Sequence, residues 1–251
     1  MKIIIPELNN PYVKEAVSHL KDIEFIPATD LDQAVQMLAE GLADSMISGI
    51  DYSSRDVVLA YKNYLPLKSD YFSSCFIMKK RSDNYYLTLA DCAVNKIPDE
   101  NQLYTIVEDT AKTHEAYFDT RPKIAMLSYS TYGSGGKNPD LEKIYYTIEK
   151  IRQNHPDWII DGEMQLDAAI DETISAKKTP NSPLQGKANI LITPDLNSGN
   201  ILYKSLERFG GFTCAGPIIQ GFKMPLADLS RGSTVADIIL TIDVIKKLYE
   251  A

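Results

Sequence analysis

Residues that build disulfide frameworks and metal sites are scarce in this sequence. Its 251 residues include three cysteines and three histidines, and His19, His114 and His155 do not have metal-ligand spacing. An odd number of scattered cysteines is typical of reduced thiols in a cytoplasmic protein and not of a secreted disulfide scaffold. We therefore predict a cytoplasmic protein that holds no metal ion.

Long hydrophobic runs and an excess of basic residues are also absent. No stretch approaches the ~20 apolar residues that a membrane-spanning helix requires, and the apolar run at Met1–Pro6 is too short for a signal peptide. The chain has 26 basic and 34 acidic residues, giving a net charge of −8, whereas general nucleic-acid binding requires a basic face. We therefore predict that the protein binds neither a membrane nor a nucleic acid. The net negative charge still allows local basic pockets that bind phosphate.

The sequence does contain an alternation of short apolar strands and amphipathic helices. Apolar segments at Lys2–Ile5, Glu24–Pro27 and Ala43–Ser48 are separated by helical patterns, an order that predicts a parallel sheet covered by helices. Two adjacent segments, Phe72–Lys79 and Tyr85–Ala90, are typical of a hairpin and interrupt the alternation. Together with a hydrophobic content of 44%, the pattern predicts an α/β protein of one large or two small domains.

One candidate anion site follows the predicted strand that ends at Gly49. In parallel sheets, ligands bind at the loops after the strands. Ser53, Ser54 and Arg55 begin a helix at this point, and a helix start with hydroxyl groups and a cation suits an anion. A serine N-cap beside a solvated arginine is the structural alternative.

A hydroxyl- and glycine-rich loop follows the apolar strand Lys123–Ser128. Its candidate phosphate-binding residues are Ser128, Ser130, Thr131, Gly133, Ser134 and Lys137, ahead of a helix that Pro139 begins. The glycine spacing and the residue after Lys137 do not match a Walker A loop. A flexible surface linker is an equal alternative.

Three carboxylates lie close together at Asp161, Glu163 and Asp167. Neighbouring carboxylates can perform acid–base chemistry or bind a metal. They can equally be the acidic residues that favour a helix N-terminus, because a helical pattern follows them.

A stretch near the C-terminus brings three reactive groups together at the start of the last predicted helix. Ser230 offers a hydroxyl, Arg231 a permanent cation and Asp237 a carboxylate, while Gly232 allows a ligand to approach closely. The helix start adds unpaired N–H groups that favour an anion. The alternatives are structural: Ser-Arg-Gly as a turn, and Asp237 as the acid of a capping box with Thr234.

Seven short motifs follow one another at close spacing, within a resemblance that extends from about Leu42 to the C-terminus. They are Ala90–Asn95, Met126–Thr131, Asp161–Ala169, Gly186–Asn189, Pro194–Asn200, Gly216–Gly221 and Asp228–Gly232. Each motif is modest alone, but together and in this order they resemble the phosphate acetyltransferase (phosphotransacetylase) family.

The resemblance implies reversible acyl transfer between acetyl phosphate, or another short acyl phosphate, and coenzyme A (CoA), with no permanently bound cofactor. It implies a fold similar to that of the isocitrate and isopropylmalate dehydrogenases, in which two α/β domains flank a cleft. Domain one would comprise residues 1–68 and 217–251 and would be truncated. Domain two, residues 69–216, would supply the other cleft wall and the contact of a homodimer.

Ser230, Arg231 and Asp237 fall on the family's catalytic Ser, Arg and Asp. The resemblance implies that the CoA thiol attacks the acyl group in a ternary complex while Asp237 takes its proton as general base, since the thiolate is the reactive form. Ordinary pKa values near 3.9 for Asp and 8.5 for a thiol differ by about 4.6 units, a gap that burial of the carboxylate and the Arg231 cation would narrow. Asn197 and Asn200, in the polar motif before the next-to-last predicted helix, are further substrate-binding candidates.

The sequence departs from the family in its first domain. Much of the N-terminal region of typical members has no counterpart, including one functional arginine, and Leu59 stands at the position of a second. Arg55, one helical turn earlier, or Lys137 is expected to replace part of this charge. Each lost charge-assisted hydrogen bond is worth roughly 1.5–3 kcal/mol. A non-catalytic or regulatory relative that binds CoA or an acyl phosphate is therefore the alternative to an enzyme.

Overall fold

The computed structural model describes every residue from Met1 to Ala251. Its strands are β1 (Lys2–Ile4), β2 (Glu24–Ile26), β3 (Ser45–Ser48), β4 (Ser73–Lys80), β5 (Tyr86–Ala90), β6 (Lys123–Leu127), β7 (Ile159–Met164), β8 (Ile190–Ile192), β9 (Phe212–Gln220) and β10 (Leu226–Asp228). Its helices are α1 (Pro11–Ser18), α2 (Leu31–Ala39), α3 (Ser54–Tyr64), α4 (Glu100–Phe118), α5 (Pro139–Asn154), α6 (Leu166–Ile170), α7 (Glu172–Lys178), α8 (Leu196–Arg208) and α9 (Val235–Glu250). None of these helices combines the length and the apolar character that crossing a membrane requires.

All ten strands join one mixed sheet in the order β2-β1-β3-β10-β9-β4-β5-β8-β6-β7. The strands from β2 to β10 in this order are parallel, as are those from β5 to β7. Between the two groups, β9 and β4 pair antiparallel with each other and with their outer neighbours. The α/β prediction is confirmed. The predicted domain boundary at 216/217 falls inside β9, so the sheet is continuous across it, and the division into two domains stays a prediction.

The helices cover the two faces of the sheet differently. One face lies under α1, α4, α5 and α9, which share a single apolar core. The other face has two separate cores, one between the sheet and α2 and α3, and one between the sheet and α6 and α8. Because side chains alternate along a strand, each central strand contributes to both faces. The divided face leaves a gap between α3 and α8.

Two strands differ from the sequence prediction. The sequence pattern did not predict β10, which directly follows Pro225 and has only three residues. A strand of this length is too short for an alternating pattern to be visible. β7 continues to Met164, so Asp161 and Glu163 lie within a strand. The alternative that placed these two carboxylates at a helix N-terminus is therefore wrong.

Candidate active site

The gap between α3 and α8 forms a cleft of about 430 Å³. It contains Ser230 and Arg231, two of the three predicted catalytic residues, together with Asn200. Its other lining residues are Gly49, Tyr52 and Ser54 from β3 to the start of α3, and Ala93 from the loop after β5. Helix α8 contributes Leu196, Tyr203, Lys204 and Arg208, β9 contributes Pro217, and the turn after β10 contributes Leu229 and Gly232.

Two cations on α8 reach the cleft from one side of the helix. Lys204 Nζ donates a hydrogen bond to Ser230 Oγ (3.1 Å) and lies 3.3 Å from Glu207 Oε2. Arg208 Nε lies 3.5 Å from the same oxygen, and the Glu207 side chain is only 8% exposed. Burial lowers the pKa of Lys204, but the neighbouring Tyr203 and Glu207 outweigh it and leave a net rise. The ammonium group of Lys204 therefore stays charged at neutral pH beside Ser230.

The turn after β10 presents Arg231 to the cleft without an internal partner. Arg231 is exposed and forms no ion pair or side-chain hydrogen bond within the protein, so all its N–H groups are available to a ligand. The N–H of Gly232 donates to Ser230 Oγ (3.3 Å). A side chain at Gly232 would press on the Arg208 guanidinium, 2.8 Å from its Cβ position. The absence of a side chain at Gly232 thus allows Arg208 and Ser230 to share the cleft.

Asp237 is separated from this group of residues. Its carboxylate accepts hydrogen bonds from Cys214 N–H (2.8 Å), Thr234 N–H (2.8 Å) and Thr234 Oγ1 (2.7 Å). The residue is 4% exposed and does not line the cleft. The capping-box alternative with Thr234 is confirmed. The general-base role of Asp237 stays a prediction, because the carboxylate is buried outside the cleft.

The start of α3 matches the predicted anion site only in part. Ser53 is the helix N-cap: its hydroxyl accepts from Asp56 N–H (3.2 Å) and donates to Asp56 Oδ2 (2.6 Å). Ser54 lines the cleft, whereas the exposed Arg55 does not. The N-cap alternative for Ser53 is confirmed, and a substrate contact by Arg55 stays a prediction.

The loop of residues 128–137 is folded around a carboxylate of the protein itself. Glu163 accepts hydrogen bonds from Ser130 Oγ (2.6 Å), Gly133 N–H (2.8 Å) and the Tyr145 hydroxyl (2.7 Å). Burial raises the pKa of Glu163, but these donors outweigh burial and the net effect is a lowering. Donors that the sequence pattern assigned to a phosphate are thus occupied by an internal anion.

Other polar groups of this loop are also engaged locally. Thr131 N–H donates to Ser134 Oγ (2.9 Å), and Thr131 Oγ1 accepts from Gln165 N–H (3.1 Å). Lys137 is exposed and lines neither the cleft nor the cavity described next. Substrate binding by Ser130, Thr131, Gly133, Ser134 and Lys137 therefore stays a prediction that requires this loop to rearrange.

A second cavity, of about 670 Å³, opens between α5 and the first turn of α8. Ser128 and Asn197 line it, whereas Asn200, one turn later on α8, lies in the cleft and donates to Cys92 O (3.3 Å). Most of the remaining surface is apolar, with the Lys143 side chain at its edge. Ser128 and Asn197 thus line one cavity and Asn200 the other, on opposite sides of α8, while the remaining predicted substrate-binding residues line neither.

Sequence reasoning missed the α8 cations because the apolar pattern of this helix is misleading. Ile201, Leu202 and Leu206 predict the buried face, yet Ile201 is 66% exposed and the buried residues are Gly199, Tyr203 and Glu207. A signal was present nonetheless. Lys204 and Arg208 have i,i+4 spacing, which puts two cations on one face of a helix.

Comparisons with known proteins point to one family. The model of the family described as phosphate acetyl/butaryl transferase matches residues 11–245. The chain is 38% identical over 204 residues to the phosphate acetyltransferase of Bacillus subtilis, covering 80% of this chain and 62% of that protein. It is 37% identical over 232 residues to that of Corynebacterium glutamicum, covering 92% and 67%. The chain spans less than two thirds of the length of several curated relatives, the Bacillus subtilis protein among them.

Solved structures agree with this assignment. A phosphotransacetylase from Streptococcus pyogenes superposes with a TM-score of 0.84 at 32% identity, covering 100% of this chain and 94% of that one. A branched-chain phosphotransacylase from Enterococcus faecalis shares the fold, with a TM-score of 0.82 at 21% identity and coverage of 99% of each chain. The chain belongs to the phosphate acetyl/butaryl transferase family.

Proposed function

We propose that this protein transfers an acetyl or other short acyl group between an acyl phosphate and CoA, at the cleft between α3 and α8. The observation that carries the proposal is the group of cations around Ser230. Lys204, Arg208 and Arg231 all line the cleft; Lys204 and Arg208 share the Glu207 carboxylate, whereas Arg231 has no partner within the protein. A phosphoryl group is the ligand that such a cluster suits best.

Charge balance supports an anionic ligand in the cleft. The two cations of α8 are balanced only in part by Glu207, and Arg231 has no internal partner. The positions expected to supply charge, Arg55 and Lys137, lie outside the cleft. We propose that Lys204 and Arg208 provide the phosphate contacts that the sequence pattern assigned to those two residues.

The chemistry follows from these contacts. With both substrates bound, the CoA thiolate attacks the acyl carbonyl, the carbon–sulfur bond forms, and the carbon–oxygen bond to phosphate breaks. Arg231 and Lys204 would stabilise the negative charge that grows on the departing phosphate, and the Ser230 hydroxyl would orient the thiol or the carbonyl. No acyl-enzyme is needed, because positioning two bound substrates supplies much of the acceleration.

The identity of the base is the part of this mechanism that depends most on the resemblance. The family pattern assigns the thiol proton to Asp237. In this structure the Asp237 carboxylate connects the start of α9 to Cys214 of β9. A base role therefore requires the residues around the start of α9 to move when the substrates bind, so that the thiol reaches this buried carboxylate.

CoA is much larger than an acyl phosphate and needs more surface than the cleft offers. We propose that the apolar cavity on the other side of α8 receives part of its pantetheine or adenine portion, with Ser128 and Asn197 at its edge. Ligand sites of this kind are mostly apolar with a few polar groups that fix orientation. A homodimer and a cytoplasmic location are further proposals that come from the resemblance and the composition.

The alternative is a relative that binds CoA or an acyl phosphate without efficient turnover. It is favoured by one position: Leu59, where the family has an arginine, is 43% exposed on α3 and contributes no charge. Lys204 and Arg208 favour the enzyme, because they supply positive charge to the cleft from α8 in place of the charge that α3 lacks at Leu59.

Thioester formation separates the two functions. Purified protein mixed with CoA and acetyl, propionyl or butyryl phosphate is expected to form the acyl-CoA, followed by the ultraviolet absorbance of the thioester bond. A rate equal to that of buffer, for folded protein that binds CoA in isothermal titration calorimetry, would support the binding-only alternative and contradict the proposed enzyme.

A further inference from the structure

A carboxylate lies directly behind the cations of the cleft. The side chain of Glu207, in the last turn of α8, is only 8% exposed and does not itself line the cleft. Its Oε2 atom lies 3.3 Å from Lys204 Nζ and 3.5 Å from Arg208 Nε. Two cations that the proposed function assigns to phosphate thus share one oxygen atom of the protein, and the acyl-transfer contacts described above give this carboxylate no role.

The position of Glu207 follows from the end of α8. Lys204 lies three residues before it, a spacing at which side chains meet on a helix surface. Arg208 is the next residue, and its long side chain reaches the same oxygen through Nε. The backbone is held as well, because the Arg81 guanidinium donates to Glu207 O (3.1 Å) and Phe212 O (2.9 Å). The carboxylate therefore has a fixed place behind the two cations.

Through these cations, Glu207 is connected at two points with the turn after β10. Lys204 Nζ donates a hydrogen bond to Ser230 Oγ (3.1 Å). Arg208 Nη2 lies 2.8 Å from the position that a Cβ atom would take at Gly232, so the guanidinium packs against the backbone of the turn. Because Glu207 occupies the Nε side of Arg208, the terminal N–H groups beside the turn stay available to a ligand.

Glu207 also changes the charge that a ligand meets. Lys204, Arg208 and Arg231 bring three positive charges to the cleft, and none of the lining residues is acidic. With the single negative charge of Glu207 behind them, the net charge of this group is +2. A phosphoryl group carries about two negative charges at neutral pH. The carboxylate thus brings the charge of the cleft close to that of the ligand.

An excess of positive charge in the cleft would hold phosphate without speeding the reaction. Interactions that bind substrate and transition state equally well lower KM and do not raise kcat. Phosphate is also the product that must leave after thioester formation, and product release sets the rate of many enzymes. A carboxylate that offsets part of the charge therefore favours turnover over tight binding.

We propose that Glu207 is a positioning residue that sets how tightly the cleft holds phosphate. It directs Lys204 and Arg208 toward the turn after β10, and it offsets one of the three positive charges of the cleft. It acts through these two cations and does not contact the substrate. This inference rests on the proposed function, because it concerns the phosphate group of the acyl phosphate.

The direct test is the affinity of the whole chain for inorganic phosphate in isothermal titration calorimetry. Glu207→Gln keeps the length of the side chain and an oxygen acceptor but removes the charge, so phosphate is expected to bind about three- to tenfold more tightly. A merely structural role predicts the opposite sign. Glu172→Gln removes a surface carboxylate that pairs with Lys187 (3.0 Å) and is the matched control, with phosphate affinity unchanged. Equal or weaker phosphate binding by Glu207→Gln would overturn the inference.

Kinetics test the two parts of the role separately. In Glu207→Gln, the KM for acyl phosphate is expected to fall without a gain in kcat, while phosphate becomes a stronger product inhibitor. Glu207→Asp keeps the charge but draws the carboxylate back by one methylene. Its phosphate affinity is expected to stay within about twofold while kcat falls by about fivefold or more, because the cations lose their orientation. Wild-type kcat in Glu207→Asp would refute the positioning role.

Two further variants protect the test. Arg231→Ala is expected to weaken phosphate binding, and binding that it leaves unchanged would place the phosphate outside the cleft and overturn the inference. If Glu207→Gln does not fold, as judged by near-ultraviolet circular dichroism, Glu207→Met takes its place, since it has a similar length and no charge. Tighter phosphate binding is again the expected result, and equal or weaker binding contradicts it.

Phosphate binding needs no turnover, so it separates this inference from the proposed function. Tighter phosphate binding by Glu207→Gln, in a protein that forms no thioester from any of the acyl phosphates, would refute the proposed enzyme and support the role of Glu207. Acyl transfer with a phosphate affinity that Glu207→Gln does not raise would refute the role of Glu207 alone.

Discussion

Replacing Arg231 with alanine is expected to lower kcat/KM for the acyl phosphate by about 10- to 100-fold. Arg231 lines the cleft, is exposed and has no internal partner, so its removal takes charge-assisted hydrogen bonds from the ligand and leaves no buried group unpaired. Such bonds are worth roughly 1.5–3 kcal/mol, and a tenfold change corresponds to about 1.4 kcal/mol. The measurement is the initial rate of thioester formation at several acyl phosphate concentrations.

The pattern across kcat and KM identifies what Arg231 does. An interaction made only in the transition state would lower kcat, whereas uniform binding would raise KM alone. Arg231→Lys keeps the charge but loses the planar fork of donors, so an activity between those of the wild type and the alanine variant is expected. Arg231→Ala with unchanged kcat/KM would remove Arg231 from the site, because its exposed position leaves little room for an indirect structural effect.

Replacing Asp228 with asparagine is expected to make the protein relatively more stable as the pH rises. Burial raises the pKa of Asp228 from 3.8 to about 7, so the folded protein binds a proton that the unfolded chain releases above about pH 4. The stability linked to this group is fully present below pH 3.8 and is lost as the pH rises through 7. Between pH 5 and 8 the loss amounts to about 2–3 kcal/mol.

The asparagine variant does not titrate at this position and so escapes that loss. A constant cost of the buried amide is expected at every pH, but the difference in Tm between variant and wild type should grow by several degrees from pH 5 to pH 8, since 1 kcal/mol shifts Tm by about 2–4 °C in a chain of this size. Asp109, whose pKa burial raises to about 6, is present in both proteins and cancels. Thermal melts at the two pH values provide the measurement, and a constant Tm difference would show that Asp228 does not titrate in this range.

The family and the general fold could be predicted because they depend on many residues at once. Seven motifs occur in order between Ala90 and Gly232, and the alternation of strands and helices is visible along the chain. The short strand β10 was not predicted because its three residues, Leu226–Asp228, are too few to show an alternating pattern. Its position between β3 and β9 nevertheless determines where Ser230 and Arg231 lie.

The site was harder to predict because hydrogen-bonding partners come from distant parts of the chain. The loop of residues 128–137 has the composition of a phosphate cradle, but Glu163, from the next strand, occupies its donors. Asp237 illustrates the same limit, since its partner Cys214 lies on β9. Lys204 of α8 contacts Ser230 in the turn after β10, a contact that no local pattern in the sequence encodes.

The most direct test of the central claim compares two double variants in one thioester assay. Lys204→Ala/Arg208→Ala removes the cations that line the α3–α8 cleft, and Arg55→Ala/Lys137→Ala removes two exposed cations outside it. We expect the first pair to lower kcat/KM for acyl phosphate by more than about 100-fold, from two charge-assisted hydrogen bonds, and the second to change it less than about threefold. The reverse order, with both variants folded, would contradict the placement of the reaction in this cleft.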